Sequence, residues 1–281
     1  MSTPASAPPT NASATSIGQA AARLQAAQET GVACAPVRDL IGSRDVATAY
    51  GVQRIIVGDR VAAGARVVGR KIGLTAPAVQ EQLGVDRPDL GVLLDDMAER
   101  EDSGIALAGL LQPKVEAEVA FILGADLVDG DLDAQQVRDA VAYAAPAIEI
   151  VDSRIAGWDI TFGDTVADNG SSARYVVGAA RRSLDDFEPV SATMTMTIDA
   201  AQVSQGRGDA CLGDPLNALQ WLARTAREFG DPLRSGEVIL SGALGPMAAI
   251  TGPCTVRADI SGLGTVTATF TAGNQSTGDH Q

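Results

Sequence analysis

The chain has 281 residues, of which 46% are hydrophobic and 20% charged, the balance of a globular protein with one large domain or two small ones. Its formal charge of −14 and its 4% aromatic content argue against a nucleic-acid binder and against an anionic membrane surface. The single histidine, His280, stands next to the C-terminus, which removes histidine triads, zinc–histidine sites and imidazole acid–base chemistry. Cys34, Cys211 and Cys254 are far apart and form no CxxC pair, so a reducing cytoplasm is the default. No apolar run is long enough to span a bilayer, and no signal peptide is expected from the first residues. An enzyme built from this chain must work with carboxylates, Lys, Tyr, Ser, Cys or a metal.

Residues 1–15 are Ser, Thr, Ala, Pro and Asn, without large apolar side chains after Met1, and are expected to be a disordered tail. An N-terminal helical region is expected over 16–66: one helix capped by Ser16 and ended by Gly31, and a second over 45–62 stopped by Gly64. Tyr50, Ile55, Ile56 and Val61 give that second helix its apolar surface, and the region reads as scaffold. A β-rich domain follows over 67–270. It opens with a strand at 67–74, a short helix at 77–83 capped by Thr75, and a charged Gly- and Pro-containing loop at 84–91.

Residues 112–123 read as a strand with Glu116 and Glu118 on one face. A turn at 130–133 leads to a helix over 134–144, then to an apolar strand over 146–151 that encloses Glu149 between two isoleucines. Residues 163–172 read as a polar loop. Beyond it come a strand at 191–198 turning at 199–201, a helix at 215–229 capped by Asp214, a strand at 237–240 and a final hairpin over 255–270. Residues 271–281 are expected to be a second disordered tail.

Glu116, Glu118 and Glu149 are three carboxylates set in apolar strands. For the first two alone, a solvated strand face is the plainer account; for Glu149, an edge strand with its polar side out stands level with a functional role. Burial of unpaired charge is costly, so a cation between them is the competing explanation. As a hard-oxygen set without His or Cys, they suit Mg²⁺ or Mn²⁺. Nearby cations such as Lys71 or Arg154 would offset the remaining negative charge.

Seven ordered segments carry a resemblance: VGRKIGLT at 68–75, QEQLGVDRPDL at 80–90, QPKVEAEV at 112–119, PAIEIVDSR at 146–154, DTVADNGS at 164–171, GRGDACLGDPLNA at 206–218 and SGALGPM at 241–247. Together they resemble the 2-keto-4-pentenoate hydratase family of the fumarylacetoacetate hydrolase superfamily, over residues 47–270. The resemblance implies an α+β, β-rich fumarylacetoacetate-hydrolase-like fold and a bound Mg²⁺ or Mn²⁺. It also implies a homo-oligomer and a 2-hydroxydienoate substrate in meta-cleavage catabolism of aromatic compounds. A complex with a decarboxylase or aldolase of the same route is a further implied partner. The family's metal ligands fall on Glu116, Glu118 and Glu149, its active-site lysine on Lys71 and its loop aspartate on Asp89. Its substrate-contacting positions fall on Leu74, Asp168 and Ser171. Gly170 stands where the family pattern has Ala.

The reaction this implies is addition of water to 2-hydroxypenta-2,4-dienoate, or a close alkyl homologue, giving 4-hydroxy-2-oxopentanoate. Lys71 would transfer a proton at the C2 oxygen or stabilise charge there, and Asp89 would orient or deprotonate the attacking water. A 4-oxalocrotonate decarboxylase with the same three-glutamate set is the nearest alternative. A carbon–carbon hydrolase is third and lacks a histidine base. A non-enzymatic subunit that stabilises a decarboxylase partner is the remaining reading, and the presence of Lys71, Asp89 and all three glutamates argues against it.

Overall fold

The computed structural model describes residues 13–76, 80–81 and 85–273. Helix α1 (Ala14–Thr30) begins earlier than expected, because Ser13 rather than Ser16 caps it: Ser13 Oγ accepts from the Ser16 amide at 3.2 Å. Gly31 ends it in the left-handed conformation, φ 68°. A short α2 (Arg38–Ile41) leads to α3 (Val46–Ala62), whose cap Asp45 accepts from the Thr48 amide at 3.1 Å. The helix expected over 77–83 lies for the most part outside the described residues.

The strands are, in chain order, β1 (Val67–Gly73), β2 (Asp89–Leu94), β3 (Ala98–Glu99), β4 (Gly104–Ala106), β5 (Lys114–Leu123), β6 (Val141–Val151) and β7 (Ser172–Val177). They continue with β8 (Thr193–Ile198), β9 (Ala201–Arg207), β10 (Val238–Ala243), β11 (Ala248–Ala249), β12 (Cys254–Ile260) and β13 (Gly264–Thr271). One sheet runs β2-β1-β10-β5-β6-β7-β3, with β11 added to β5. The other runs β4-β13-β12-β8-β9.

The first sheet is rolled, as its connectivity requires. β2 and β3 stand at opposite ends of the strand order, yet only the turn Asp95–Met97 separates them in the chain. At about 3.3–3.6 Å per residue that link is too short unless the two edges curl towards each other. Strand alternation then sorts the side chains. On β5, Val115, Ala117, Val119 and Phe121 join Ile148 and Ile150 of β6 in the main core, which Val256, Ala258, Val266 and Phe270 of the second sheet complete. The opposite face carries a small apolar plug of Leu93, Ala120, Ala147, Tyr175 and Leu240. Glu116, Glu118 and Glu149 lie on this same face: Glu118 and Glu149 are one alternation along their strands from Ala120 and Ala147, and Glu116 is one further.

Three expectations are corrected. The helix expected over 134–144 is shorter, α4 (Ala134–Asp139), and Val141 and Ala144 belong to β6, paired with Leu123 and Phe121. Alanine favours a helix locally, and pairing with β5 overrides that preference. The loop expected over 84–91 gives way to β2 from Asp89 onwards, paired with β1.

The polar stretch over 163–172 is not a loop. It holds α5 (Phe162–Ala167) and a tight turn leading into β7. Asp164 makes that helix stable where it is. Its buried carboxylate accepts from the amides of Thr161, Val37 and Arg38, the Thr161 hydroxyl and the Arg38 guanidinium. The Asp214-capped helix, α6 (Pro215–Glu228), and the β12–β13 hairpin stand where expected.

Candidate metal centre and active site

β5 and β6 pair antiparallel in a register that sets Glu116 directly opposite Glu149, with Glu118 two residues further on. One carboxylate oxygen from each of the three glutamates lies within 4.8 Å of the others. Glu118 and Glu149 are fully buried and Glu116 is half-buried. A register shift in β10 brings the Gly242 amide to Glu118 Oε2 at 2.7 Å. Among the described residues, Glu118 Oε1 and both Glu149 oxygens accept no hydrogen bond.

Burial pushes Glu116 up to about 7, with the Glu149 charge adding to it. Burial likewise raises Glu118 well above the usual carboxylate range, with Glu149 and Glu116 adding to it. Three converging carboxylates, two of them with buried oxygens that accept no hydrogen bond among the described residues, form a donor set that a divalent hard cation fits.

Lys71, from β1, is buried and places Nζ 3.2 Å from Glu149 Oε2 and 3.1 Å from the Gly170 carbonyl. Burial alone would lower its pKa, but the charges of Glu149, Asp89, Glu116 and Glu118 outweigh this and raise it, so the ammonium is protonated. Asp89 opens β2 opposite Gly73. A Cβ on Gly73 would fall 2.1 Å from Asp89 Oδ1 and 3.4 Å from Lys71 Nζ, so the carboxylate and the ammonium flank the space above that glycine. Asp89 is buried, its Oδ1 has no hydrogen-bond partner among the described residues, and burial raises its pKa despite Lys71.

The structure thus brings Glu116, Glu118, Glu149, Lys71 and Asp89 together. Leu74, half-buried at the end of β1, adopts φ 56°, and its carbonyl accepts from Gln80 Nε2 at 2.7 Å. A left-handed residue without glycine's freedom marks a backbone held by its surroundings.

Asp168 and Ser171 sit in the turn behind Lys71, and Asp168 is already engaged. Its oxygens take Arg154 Nε at 2.5 Å, the Arg154 amide at 3.0 Å, Ser153 Oγ at 3.3 Å and Ser171 Oγ at 3.4 Å. Arg154, a candidate cation for the glutamates on sequence grounds, therefore serves Asp168, and Lys71 alone of the two reaches them. A cavity of about 420 Å³ between α1, α3 and β7 abuts this turn through Asp168, Asn169 and Ser172, but none of the three glutamates lines it.

Gly91 was not singled out from sequence. Paired with Lys71 across β2 and β1, it has room only for hydrogen: a Cβ would lie 2.9 Å from Lys71 Cγ and Cδ and 2.6 Å from the Asn169 carbonyl. The available signal was a lone glycine inside an apolar run, which marks a close approach.

The family model described as fumarylacetoacetate (FAA) hydrolase C-terminal matches residues 78–271. A 2-keto-4-pentenoate hydratase of Burkholderia vietnamiensis is 51% identical over 256 residues, 91% of this chain and 98% of that relative. A 2-hydroxyhexa-2,4-dienoate hydratase of Comamonas testosteroni is 38% identical over 251 residues, 89% of this chain and 95% of that relative. Among solved structures, the 4-oxalocrotonate decarboxylase of Pseudomonas putida G7, complexed with magnesium and adipate, superposes with a TM-score of 0.87 at 28% identity, covering 92% of this chain and 98% of that one. The buried carboxylate cluster with its lysine, the rolled sheet that carries it and these likenesses together mean that the chain belongs to the fumarylacetoacetate hydrolase family, within its group of 2-keto-4-pentenoate hydratases.

Proposed function

We propose that the protein is a hydro-lyase that adds water to 2-hydroxypenta-2,4-dienoate, or a homologue with a short alkyl tail, to give 4-hydroxy-2-oxopentanoate. The observation that carries this reading is the convergence of three carboxylates, one lysine and one unpartnered aspartate on one face of the rolled sheet. Glu116, Glu118 and Glu149 would hold Mg²⁺ or Mn²⁺. When bound, such a cation supplies Lewis-acid polarisation of the substrate's C2 oxygen.

The chain's own groups do the rest. The dienol ketonises as its C2 hydroxyl gives up a proton and C5 gains one, leaving a 2-oxo-3-enoate. Water then adds at C4 and a proton arrives at C3. Lys71, protonated and fixed between Glu149 and the Gly170 carbonyl, stabilises negative charge at the C2 oxygen or exchanges a proton there. Asp89, with its free Oδ1 beside Lys71, orients the attacking water or takes its proton. Leu74, Asp168 and Ser171 belong to the same reading as substrate-contacting positions. Asp168 and Ser171 would then act through the shape of their turn, since the Asp168 carboxylate is held by Arg154.

The test is product analysis with purified protein, Mg²⁺ or Mn²⁺, and 2-hydroxydienoates differing at C5 and C6. The expected product is the 4-hydroxy-2-oxo acid. Likeness to the decarboxylase supports a second reading, so 4-oxalocrotonate is offered in parallel; carbon dioxide release without hydration would replace the first reading with the second.

Lys71→Ala is expected to keep cation affinity within about threefold while lowering kcat by about 10²-fold or more. Glu118→Gln is expected to weaken cation binding and turnover together. Wild-type kcat in Lys71→Ala would remove the proton-transfer role. Assembly into a homo-oligomer is part of the same reading and is read by light scattering.

A further inference from the structure

β2 carries Asp89 and Gly91 but is an edge strand: it pairs with β1 on one side, and among the described residues no strand pairs with the other. In an antiparallel pair, alternate residues turn both backbone groups away from the partner strand. On β2 these residues are Leu90 and Val92, and side chains meet all four of their outward groups. Leu90 N–H donates to Tyr50 Oη at 3.2 Å, and the Leu90 carbonyl accepts from Gln53 Nε2 at 2.9 Å. Val92 N–H donates to Asn169 Oδ1 at 2.8 Å, and the Val92 carbonyl accepts from Asn169 Nδ2 at 2.9 Å.

Tyr50 and Gln53 lie one turn apart on α3, and Asn169 follows α5. Gln53 also donates to the Val166 carbonyl at 3.1 Å, which ties β2 to the helix leading into the Asn169 turn. Three side chains thus stand where a neighbouring strand would.

The same turn reaches Lys71. Asn169, Gly170 and Ser171 are consecutively left-handed, at φ 56°, 61° and 54°. Such a run is strained for residues other than glycine and asparagine, and persists only when its surroundings hold it. Here the Asn169 side chain holds it to β2, and the next carbonyl, that of Gly170, accepts from Lys71 Nζ. Asn169 therefore touches both halves of the pair: through Val92 it fixes the strand that bears Asp89, and through Gly170 it fixes the acceptor for Lys71.

The geometry points to Asn169, supported by Gln53 and Tyr50, as the positioning residue of the site, a side-chain clamp on the free edge of β2 that sets Asp89 against Lys71. This rests on the reading that Asp89 and Lys71 act in turnover. Nothing in the clamp touches the glutamates by hydrogen bond, so cation binding and positioning are separable.

The experiment compares Asn169→Gly, which keeps the left-handed backbone at ease while removing the clamp, in the native background and with Asp89→Asn. Steady-state turnover of 2-hydroxypenta-2,4-dienoate with Mg²⁺ is measured alongside calorimetric titration with Mn²⁺ alone. In the native background kcat is expected to fall by about 10- to 100-fold, with KM and Mn²⁺ affinity held within about threefold. With Asp89→Asn present, the same substitution is expected to lower kcat several-fold less than in the native background, the remaining loss coming through the Gly170 acceptor of Lys71, because Asp89, one of the two groups it positions, is already gone.

Equal losses in the two backgrounds, or unchanged kcat in folded Asn169→Gly, would overturn the clamp while leaving the role of Asp89 intact. Wild-type kcat in Asp89→Asn alone would instead overturn the reading of Asp89 and the clamp with it. If Asn169→Gly does not fold, Gln53→Leu, remote on α3, is put through the same three measurements with the same expected outcomes.

Discussion

Gly91 shows how closely single residues constrain this site. Its missing side chain is what lets the Lys71 stem pass across β2, with Cγ and Cδ 2.9 Å from where a Cβ would stand. Gly91→Ala is expected to displace the ammonium from Glu149 and the Gly170 carbonyl. On the role proposed for Lys71, turnover should fall by about 10²-fold, because misplacement of a catalytic group by about 1 Å has that effect. Cation affinity should be nearly unchanged, and a kcat within about twofold of wild type would show that Lys71 has another route to its place.

The residues with charge in apolar surroundings were legible in the chain: Glu149 between Ile148 and Ile150, Glu116 and Glu118 in alternation. Gly91 was not, because its importance lies in what crosses it from another strand. Asn169 was hidden for a related reason. It reads as a polar loop residue, yet its amide pairs with a backbone segment 77 positions away.

At the scale of elements, capping and periodicity were strong guides where local interactions decide the outcome. Asp214 and Pro215 open α6 as expected, with Asp214 Oδ1 accepting from the Leu216 amide at 2.8 Å. Asp214→Ala is expected to remove about 1 kcal/mol of stability and to lower Tm by about 2–4 °C, with kcat unchanged at temperatures well below the transition. Calorimetric unfolding and steady-state turnover check both halves.

Elements made by pairing were harder to read. β2 begins at Asp89 in a stretch that composition marks as loop, and β6 takes over alanines that periodicity assigns to a helix. α5 is built from residues that favour turns, and it holds because Asp164 finds a full set of donors from α2 and from Thr161.

For the whole molecule, the carboxylate cluster links stability to pH and, on the proposed metal-binding role, to divalent cations. Glu116 carries a proton in the cation-free protein up to about 7, against an ordinary value of 4.5. Its folded-state pKa is raised, so the native state holds more protons than the unfolded chain between those values. Stability of the cation-free protein from this group is therefore present below about pH 4.5 and lost as pH rises through about 7. A cation must displace that proton, so Mg²⁺ or Mn²⁺ affinity is expected to weaken by up to about tenfold per pH unit per proton below that value. Added Mg²⁺ should accordingly raise Tm more at pH 8 than at pH 6, a comparison open to scanning calorimetry. An equal rise at both would mean that the glutamates are ionised together without the cation.

By itself the sequence determined the residue types of the candidate site, the alternation that sets Glu116 and Glu118 on one face, a sheet-rich body with helix at its N-terminal end, and the family, because these follow from local chemistry and from ordered motifs. Only the tertiary structure decided that Glu149 stands opposite Glu116, that Lys71 rather than Arg154 joins the carboxylates, and that three side chains finish the edge of β2. Each of these is a matter of register between strands distant in the chain. Register is set by burial of one face of a rolled sheet and by backbone groups finding partners, and neither is written in any single segment.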